Sequence, residues 1–196
     1  MSDTVRAFIA FELADETIAF IQKIQEGLRS FGIKARWIRP ENIHLTLKFL
    51  GDINNEDVKK AGDAIISAAG ENASIALRAK SIGVFPGVKR PRVIWTGIVG
   101  QIEELVDFHN ILDGKLQTIG FPKEKRPFKG HLTIARIKKK IDPKRLIDVM
   151  KEYSGFESKT FMLDEVVLFK SKLKPSGAVY SRLMSAELIG LWLIKK

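Results

Sequence analysis

Asn42-Ile43-His44-Leu45-Thr46-Leu47-Lys48-Phe49-Leu50 and its counterpart Gly130-His131-Leu132-Thr133-Ile134-Ala135-Arg136 decide how this chain reads. The chain has only three histidines and seven threonines, yet two of the histidines are followed two positions later by a threonine. Both runs lie among β-branched and apolar residues, the composition of a half-buried strand. Strand side chains alternate between faces, so His44 and Thr46 share one face, and His131 and Thr133 do likewise. Each run therefore offers an imidazole beside a hydroxyl.

Around these runs the pattern alternates between strand and helix. Val5–Leu13 reads as a strand. Asp15–Phe31 reads as an amphipathic helix, with Ile18, Ile21, Ile24 and Leu28 in register. Short strands follow at 33–38 and 43–50, and Asn54 or Asn55 caps a second helix with Glu56 and Asp57 in its first turn. Strands at 75–84 and 93–99 precede a third helix over 101–119. A basic loop then leads into a strand at 130–137. Pro143 opens a fourth helix reaching Tyr153, and strands at 160–169 and 179–188 close the pattern.

The order is βαββαβ followed by βαβαββ, with one His-Leu-Thr strand in each half. This predicts an α+β fold of two similar lobes, each a small, mainly antiparallel sheet with helices on its outer face, enclosing a central cleft. Residues 1–196 form a single bilobal domain in this reading, with no linker between the halves and one motif per lobe.

Composition narrows the chemistry. The 196 residues carry a formal charge of +10, which favours an anionic substrate or a polyanionic partner. The positive charge gathers around the second motif: Lys123, Lys125, Arg126 and Lys129 precede His131, and Arg136, Lys138, Lys139 and Lys140 follow it. Absence of cysteine excludes disulfides and thiolate metal sites. The first residues lack the basic flank and apolar core of a signal peptide, and the apolar tail 188–194 is far short of the ~20 residues a membrane span needs. We expect a cytoplasmic protein with no membrane and no obligate protein partner, its tail packed on the body or an oligomer.

An imidazole titrates near neutral pH, so one ring can take a proton while the other gives one. Set on either side of a phosphorus, two such rings serve in-line displacement, with hydroxyls and cations on the non-bridging oxygens. No metal or other cofactor is required. A zinc site would need a third ligand that neither motif supplies at suitable spacing. An ATP-dependent ligase is disfavoured because no Lys-x-Asp-Gly site or Gly-x-x-x-x-Gly-Lys loop is present.

The wider sequence resembles the two-histidine phosphoesterase superfamily, and within it the archaeal and bacterial RNA 2′,3′-cyclic phosphodiesterases, also called 2′-5′ RNA ligases. The resemblance is carried by Arg6-Ala7-Phe8-Ile9-Ala10, Trp37, both His-Leu-Thr runs, Gly83-Val84-Phe85-Pro86 and Pro91-Arg92-Val93-Ile94-Trp95. Leu168-Phe169-Lys170-Ser171 and Gly177-Ala178-Val179-Tyr180 extend it. It implies hydrolysis of RNA 2′,3′-cyclic phosphate ends, tRNA fragments among them, to a 2′-phosphate, with reverse 2′-5′ ligation in vitro. It also implies His44 as proton donor, His131 as proton acceptor, and Thr46, Thr133 and Arg136 as phosphate ligands. Strict alternation puts Arg136 on the face opposite His131, so the strand must end or bulge there to bring it into the site. One departure is Gly130, where many relatives carry proline.

Lys48 has the strand parity of His44 and Thr46, so it and Phe49 are candidates to line an RNA groove. Phe85 and Phe128 are further residues able to stack on a base. His109 lies on or beside the apolar face of a helix and reads as structural. Two other functions fit the sequence: a two-histidine phosphodiesterase acting on 2′-5′ oligonucleotides or small cyclic nucleotides, and a non-catalytic module that holds RNA ends.

Overall fold

A computed structural model describes residues 4–175 and 177–190. In chain order the elements are β1 (Val5–Phe11), α1 (Asp15–Ser30), β2 (Arg36–Trp37), a 3₁₀ turn (Pro40–Asn42), β3 (Leu45–Ile53), α2 (Asn55–Gly70), β4 (Ile75–Phe85) and β5 (Val93–Gly100). Then come α3 (Ile102–Thr118), β6 (His131–Arg136), α4 (Pro143–Glu152), β7 (Phe161–Leu163), β8 (Glu165–Lys174) and β9 (Gly177–Glu187). The caps follow the sequence: Asn54 Oδ1 accepts from the Asp57 backbone N–H at 2.9 Å, and Asp142 Oδ1 accepts from the Lys144 N–H at 3.1 Å.

The strands form two antiparallel groups, β3-β1-β8-β9 and β6-β5-β4-β7, with β2 paired to the far end of β6. Each motif strand is the innermost of its group. The groups meet there at a single residue pair, Leu45 opposite Leu132. Helix α2 packs on β8, β9 and α3, whereas α1 and α4 pack on β6 and β4. The fold is thus two-lobed α+β, as expected, but the lobes are not the two halves of the sequence. Strands from both ends of the chain, β1, β8 and β9, build the lobe of His44; the middle of the chain supplies most of the other.

Three local expectations change. The strand at 33–38 contracts to Arg36–Trp37, the two residues that pair in ladder register with β6. The strand at 160–169 is two strands broken at Asp164: Phe161–Leu163 pairs with β4, and Glu165 onward pairs with β1 and β9. The chain crosses between lobes there, which no apolar pattern marks. Of the apolar tail, Leu188 is buried and Gly190 N–H donates to Asn72 O at 3.0 Å, and residues 191–194 lie outside the described residues.

One core, running through both lobes, fills the space between the sheets and the helices; Ile9, Phe11, Ile21, Leu45, Leu77, Ile94, Phe108 and Leu132 are fully buried in it. Burial of each such side chain is worth about 1.5–3 kcal/mol. A second, smaller cluster of Phe8, Ala10, Val167 and Phe169, with Tyr180 against it, alternates with the first along β1 and β8 and so lies on the opposite face of the sheet. Among the described residues no helix is long and apolar enough to cross a membrane.

Candidate active site

The junction of the two sheets is the key to the site. Leu45 and Leu132 face each other and are both fully buried in the helix-covered core. Their sequence neighbours therefore point the other way, to the open face. Antiparallel register sets His44 across from Thr133, and Thr46 across from His131. The two histidines become diagonal neighbours, which in such a ladder stand about 7–8 Å apart, with their Cβ atoms somewhat closer. That leaves their rings able to reach one small group from two sides.

Both rings are oriented in the same way. His44 Nδ1 lies 2.8 Å from Asn42 O, and His131 Nδ1 lies 2.8 Å from Lys129 O. A carbonyl can only accept, so each Nδ1 carries the hydrogen and each Nε2 is left for chemistry. The segment before His44 is itself tied down: Asn42 Nδ2 donates to Ala178 O on β9 at 2.9 Å.

Each motif strand carries a bulge at the same place. On β3 the pairing with β1 steps from Ala10↔Thr46 to Ile9↔Lys48, leaving Leu47 extra. On β6 the pairing with β5 steps from Trp95↔Thr133 to Ile94↔Ala135, leaving Ile134 extra. Leu47 and Lys48 are both buried, as are Ile134 and Ala135, so the residue five positions past each histidine returns to the open face. Those residues are Phe49 and Arg136. Gln25 Nε2 donates to the bulged Ile134 carbonyl at 2.9 Å, and the Ile38 N–H donates to it at 3.0 Å, which satisfies the displaced backbone.

The bulges settle two residues that alternation alone misplaces. Arg136 is exposed, and its guanidinium is near enough to His44 and Tyr180 for its charge to act on both. Lys48, expected to line a groove, is instead turned into the interior. Its ammonium is held by the Asp113 carboxylate on α3 and by Pro122 O at 2.7 Å, with both charged side chains only 3% exposed. It is not available to a substrate on the open face.

The rings around the two histidines differ. His44 packs among Phe8 (centroids 4.9 Å apart), Tyr180 (5.4 Å) and Phe169 (6.4 Å). Burial pushes its pKa from 6.5 down to about 4; the Asn42 hydrogen bond opposes this, and the Arg136 charge adds to it. His131 meets Phe85 edge-on at 5.1 Å and Trp95 at 6.2 Å, and Lys129 Nζ lies over both of those rings at 5.6 and 5.2 Å. Trp95 lies flat over Gly83, where a Cβ would come within 2.2 Å of the indole.

Sequence reasoning alone gave no role to Phe8, Trp95, Lys129, Phe169 or Tyr180. All but Lys129 lie in segments that carried the family resemblance, and Lys129 lies in the basic run before His131. Phe128, a candidate for base stacking, stacks instead on buried His109 at 4.2 Å, and burial lowers the His109 pKa. Among the described residues no group of three or more His, Cys, Asp or Glu side chains could hold a metal ion.

The model of the family described as LigT like Phosphoesterase matches residues 11–95 and again 97–180, one motif in each match. The RNA 2′,3′-cyclic phosphodiesterase of Methanocaldococcus jannaschii is 34% identical over 176 residues, covering 90% of this chain and 96% of that protein. The RNA 2′,3′-cyclic phosphodiesterase of Aquifex aeolicus is 31% identical over 180 residues, covering 90% and 94%. Among solved structures, the protein TT0787 of Thermus thermophilus superposes with a TM-score of 0.79 at 25% identity, covering 94% of this chain and 98% of that one. The E. coli LigT complex with 3′-AMP has the same fold, with a TM-score of 0.71 at 23% identity, covering 95% and 99%.

Proposed function

This chain belongs to the LigT-like phosphoesterase family and is a phosphodiesterase, and we propose that it opens 2′,3′-cyclic phosphate ends of RNA, without a metal, to leave a 2′-phosphate. The observation that carries this reading is the Leu45–Leu132 pair, which sets two similarly tethered imidazoles diagonally across one small space. Water attacks phosphorus in line with the 3′ oxygen; a P–O bond to water forms as the P–O3′ bond breaks. His131 Nε2 takes the proton from water, and His44 Nε2 gives one to the departing 3′ oxygen. Thr46, Thr133 and Arg136 hold the non-bridging oxygens as charge shifts onto them. A 5′-hydroxyl in place of water would yield a 2′-5′ linkage by the same displacement.

Burial supports this division of roles. His131 is the more open ring, within reach of an entering water, whereas His44 sits among aromatic rings that exclude water from the leaving oxygen. Raising His44 from about 4 to its ordinary 6.5 takes roughly 3.4 kcal/mol. A phosphate anion about 4 Å away supplies roughly 4 kcal/mol at the effective dielectric of a protein surface. Substrate binding thus favours the protonated form of the acid by an amount of the same order as the burial penalty. The RNA partners in this reading are cytoplasmic strands with cyclic ends, tRNA fragments among them.

The test is product analysis on a short RNA with a 2′,3′-cyclic phosphate end. A 2′-phosphate product is expected, and His44→Ala and His131→Ala should each lose at least ~10²-fold in rate. On a p-nitrophenyl phosphodiester, whose leaving group needs no proton, His44→Ala should keep far more activity than His131→Ala. A 3′-phosphate product, or near-normal turnover by either variant on RNA, would overturn the mechanism.

A further inference from the structure

Between β3 and the loop 121–126 lies a groove of about 450 Å³, open to solvent and lined by Phe49, Leu50, Phe121, Lys123, Lys125 and Arg126, among others. It touches the histidine site through Phe8, whose ring is 5.9 Å from Phe49 and 4.9 Å from His44. Phe49 is 67% exposed, although it follows the buried pair Leu47 and Lys48; the β3 bulge brings it out. The loop carries three cations against one carboxylate, Glu124, and among the described residues none of the three is in an ion pair.

This loop is built rather than slack. Buried Lys48 donates to Pro122 O, its ion-pair partner Asp113 accepts the Glu124 N–H at 3.2 Å, and Phe128 stacks on His109. A buried ion pair is costly to form, and here it fixes an exposed cationic loop opposite an exposed aromatic ring. Aromatic faces that stack bases, beside cations that meet phosphates, are the chemistry of single-stranded nucleic acid binding.

We propose that this groove is a second subsite, taking the penultimate nucleotide of a single-stranded RNA whose cyclic phosphate end lies between His44 and His131. The proposal rests on the RNA-end reading above. A strand that ends in a cyclic phosphate continues only through the 5′ oxygen of its last nucleotide, so one neighbour alone needs a site. Phe49 stacks on that neighbour's base, and Lys123, Lys125 and Arg126 meet the phosphates that follow. Lys48 and Asp113 act as positioning residues that hold the loop in place.

Hydrolysis of a mononucleoside 2′,3′-cyclic phosphate is compared with that of a trinucleotide having the same last residue, each at two salt concentrations. Wild-type kcat/KM should favour the trinucleotide by tenfold or more, through KM rather than kcat. Phe49→Ala should reduce that preference roughly tenfold, the scale of one stacked base. Lys123→Ala/Lys125→Ala/Arg126→Ala should flatten the salt dependence of the trinucleotide reaction by about 1 in log–log slope, since a trinucleotide offers the loop at most its two internucleotide phosphates. Equal use of both substrates by the wild type, or a preference untouched by either variant, would overturn the subsite and leave the catalytic reading intact. If neither substrate is hydrolysed, the catalytic reading fails, and anisotropy with 3′-phosphate-ended trinucleotide and mononucleotide still decides the subsite: it requires tighter binding of the trinucleotide, lost in Phe49→Ala.

Discussion

His44 should make the stability of this protein depend on acidity in a way that one substitution removes. In the unfolded chain its imidazole takes a proton below about 6.5; in the folded protein, burial among Phe8, Phe169 and Tyr180 delays this to about 4. Between those values the unfolded state binds more protons, so stability falls as pH falls from 6.5 towards 4, and this group adds no further loss below. Integrating the two titrations from pH 7 to pH 4.5 gives a loss of about 2.4 kcal/mol from His44 alone. Glutamine keeps a polar side chain at that position but does not titrate. Urea unfolding of wild type and His44→Gln at pH 7 and pH 4.5 isolates the contribution, because His109 and the carboxylates are common to both. With a denaturant slope of about 2 kcal/mol per molar, the wild-type midpoint should fall by about 1 M more than that of the variant. Equal falls would mean that His44 is not held neutral by burial and that a bound phosphate has no burial penalty to offset there.

Lys48→Met leaves Asp113 buried without its partner and should cost about 3–5 kcal/mol in chemical denaturation; Lys48→Met/Asp113→Leu should cost less than the single change. A single variant within about 1 kcal/mol of wild type would show that the pair does not brace the loop. Gly83→Val should drive the Trp95 indole off its seat and lower turnover by displacing the wall beside His131, read as a change in tryptophan fluorescence together with kcat; an unchanged spectrum and rate would refute it. Hydrolysis in excess EDTA should run at the untreated rate, and a loss restored by added metal would end the metal-free mechanism.

How far the sequence reaches depends on what each feature rests on. Local patterning was sufficient for α1, α2, α3 and α4, whose apolar faces and caps are written within a few turns of chain. It was also sufficient for the pairing of His with Thr, because strand alternation needs only a neighbour two residues away. Alternation failed at Lys48 and Arg136, where one extra residue on each motif strand reverses the faces; a bulge is set by pairing with β1 or β5, which local composition does not encode. The break at Asp164 was hidden for the same reason: Asp164-Glu165 is a short charged pair with no Gly or Pro turn signal, and only the partners of Leu163 and Val166, which belong to different lobes, show that the chain crosses there.

The sequence by itself therefore determined the chemical groups, two imidazoles with two hydroxyls in a cationic chain, because residue types and i, i+2 spacing are local properties. Only the tertiary structure decided their arrangement. The Leu45–Leu132 contact joins strands far apart in the chain and makes the histidines diagonal neighbours. Burial, which depends on rings brought from β1, β8 and β9, holds down the proton affinity of His44 and makes two motifs of matching sequence unequal in access to water.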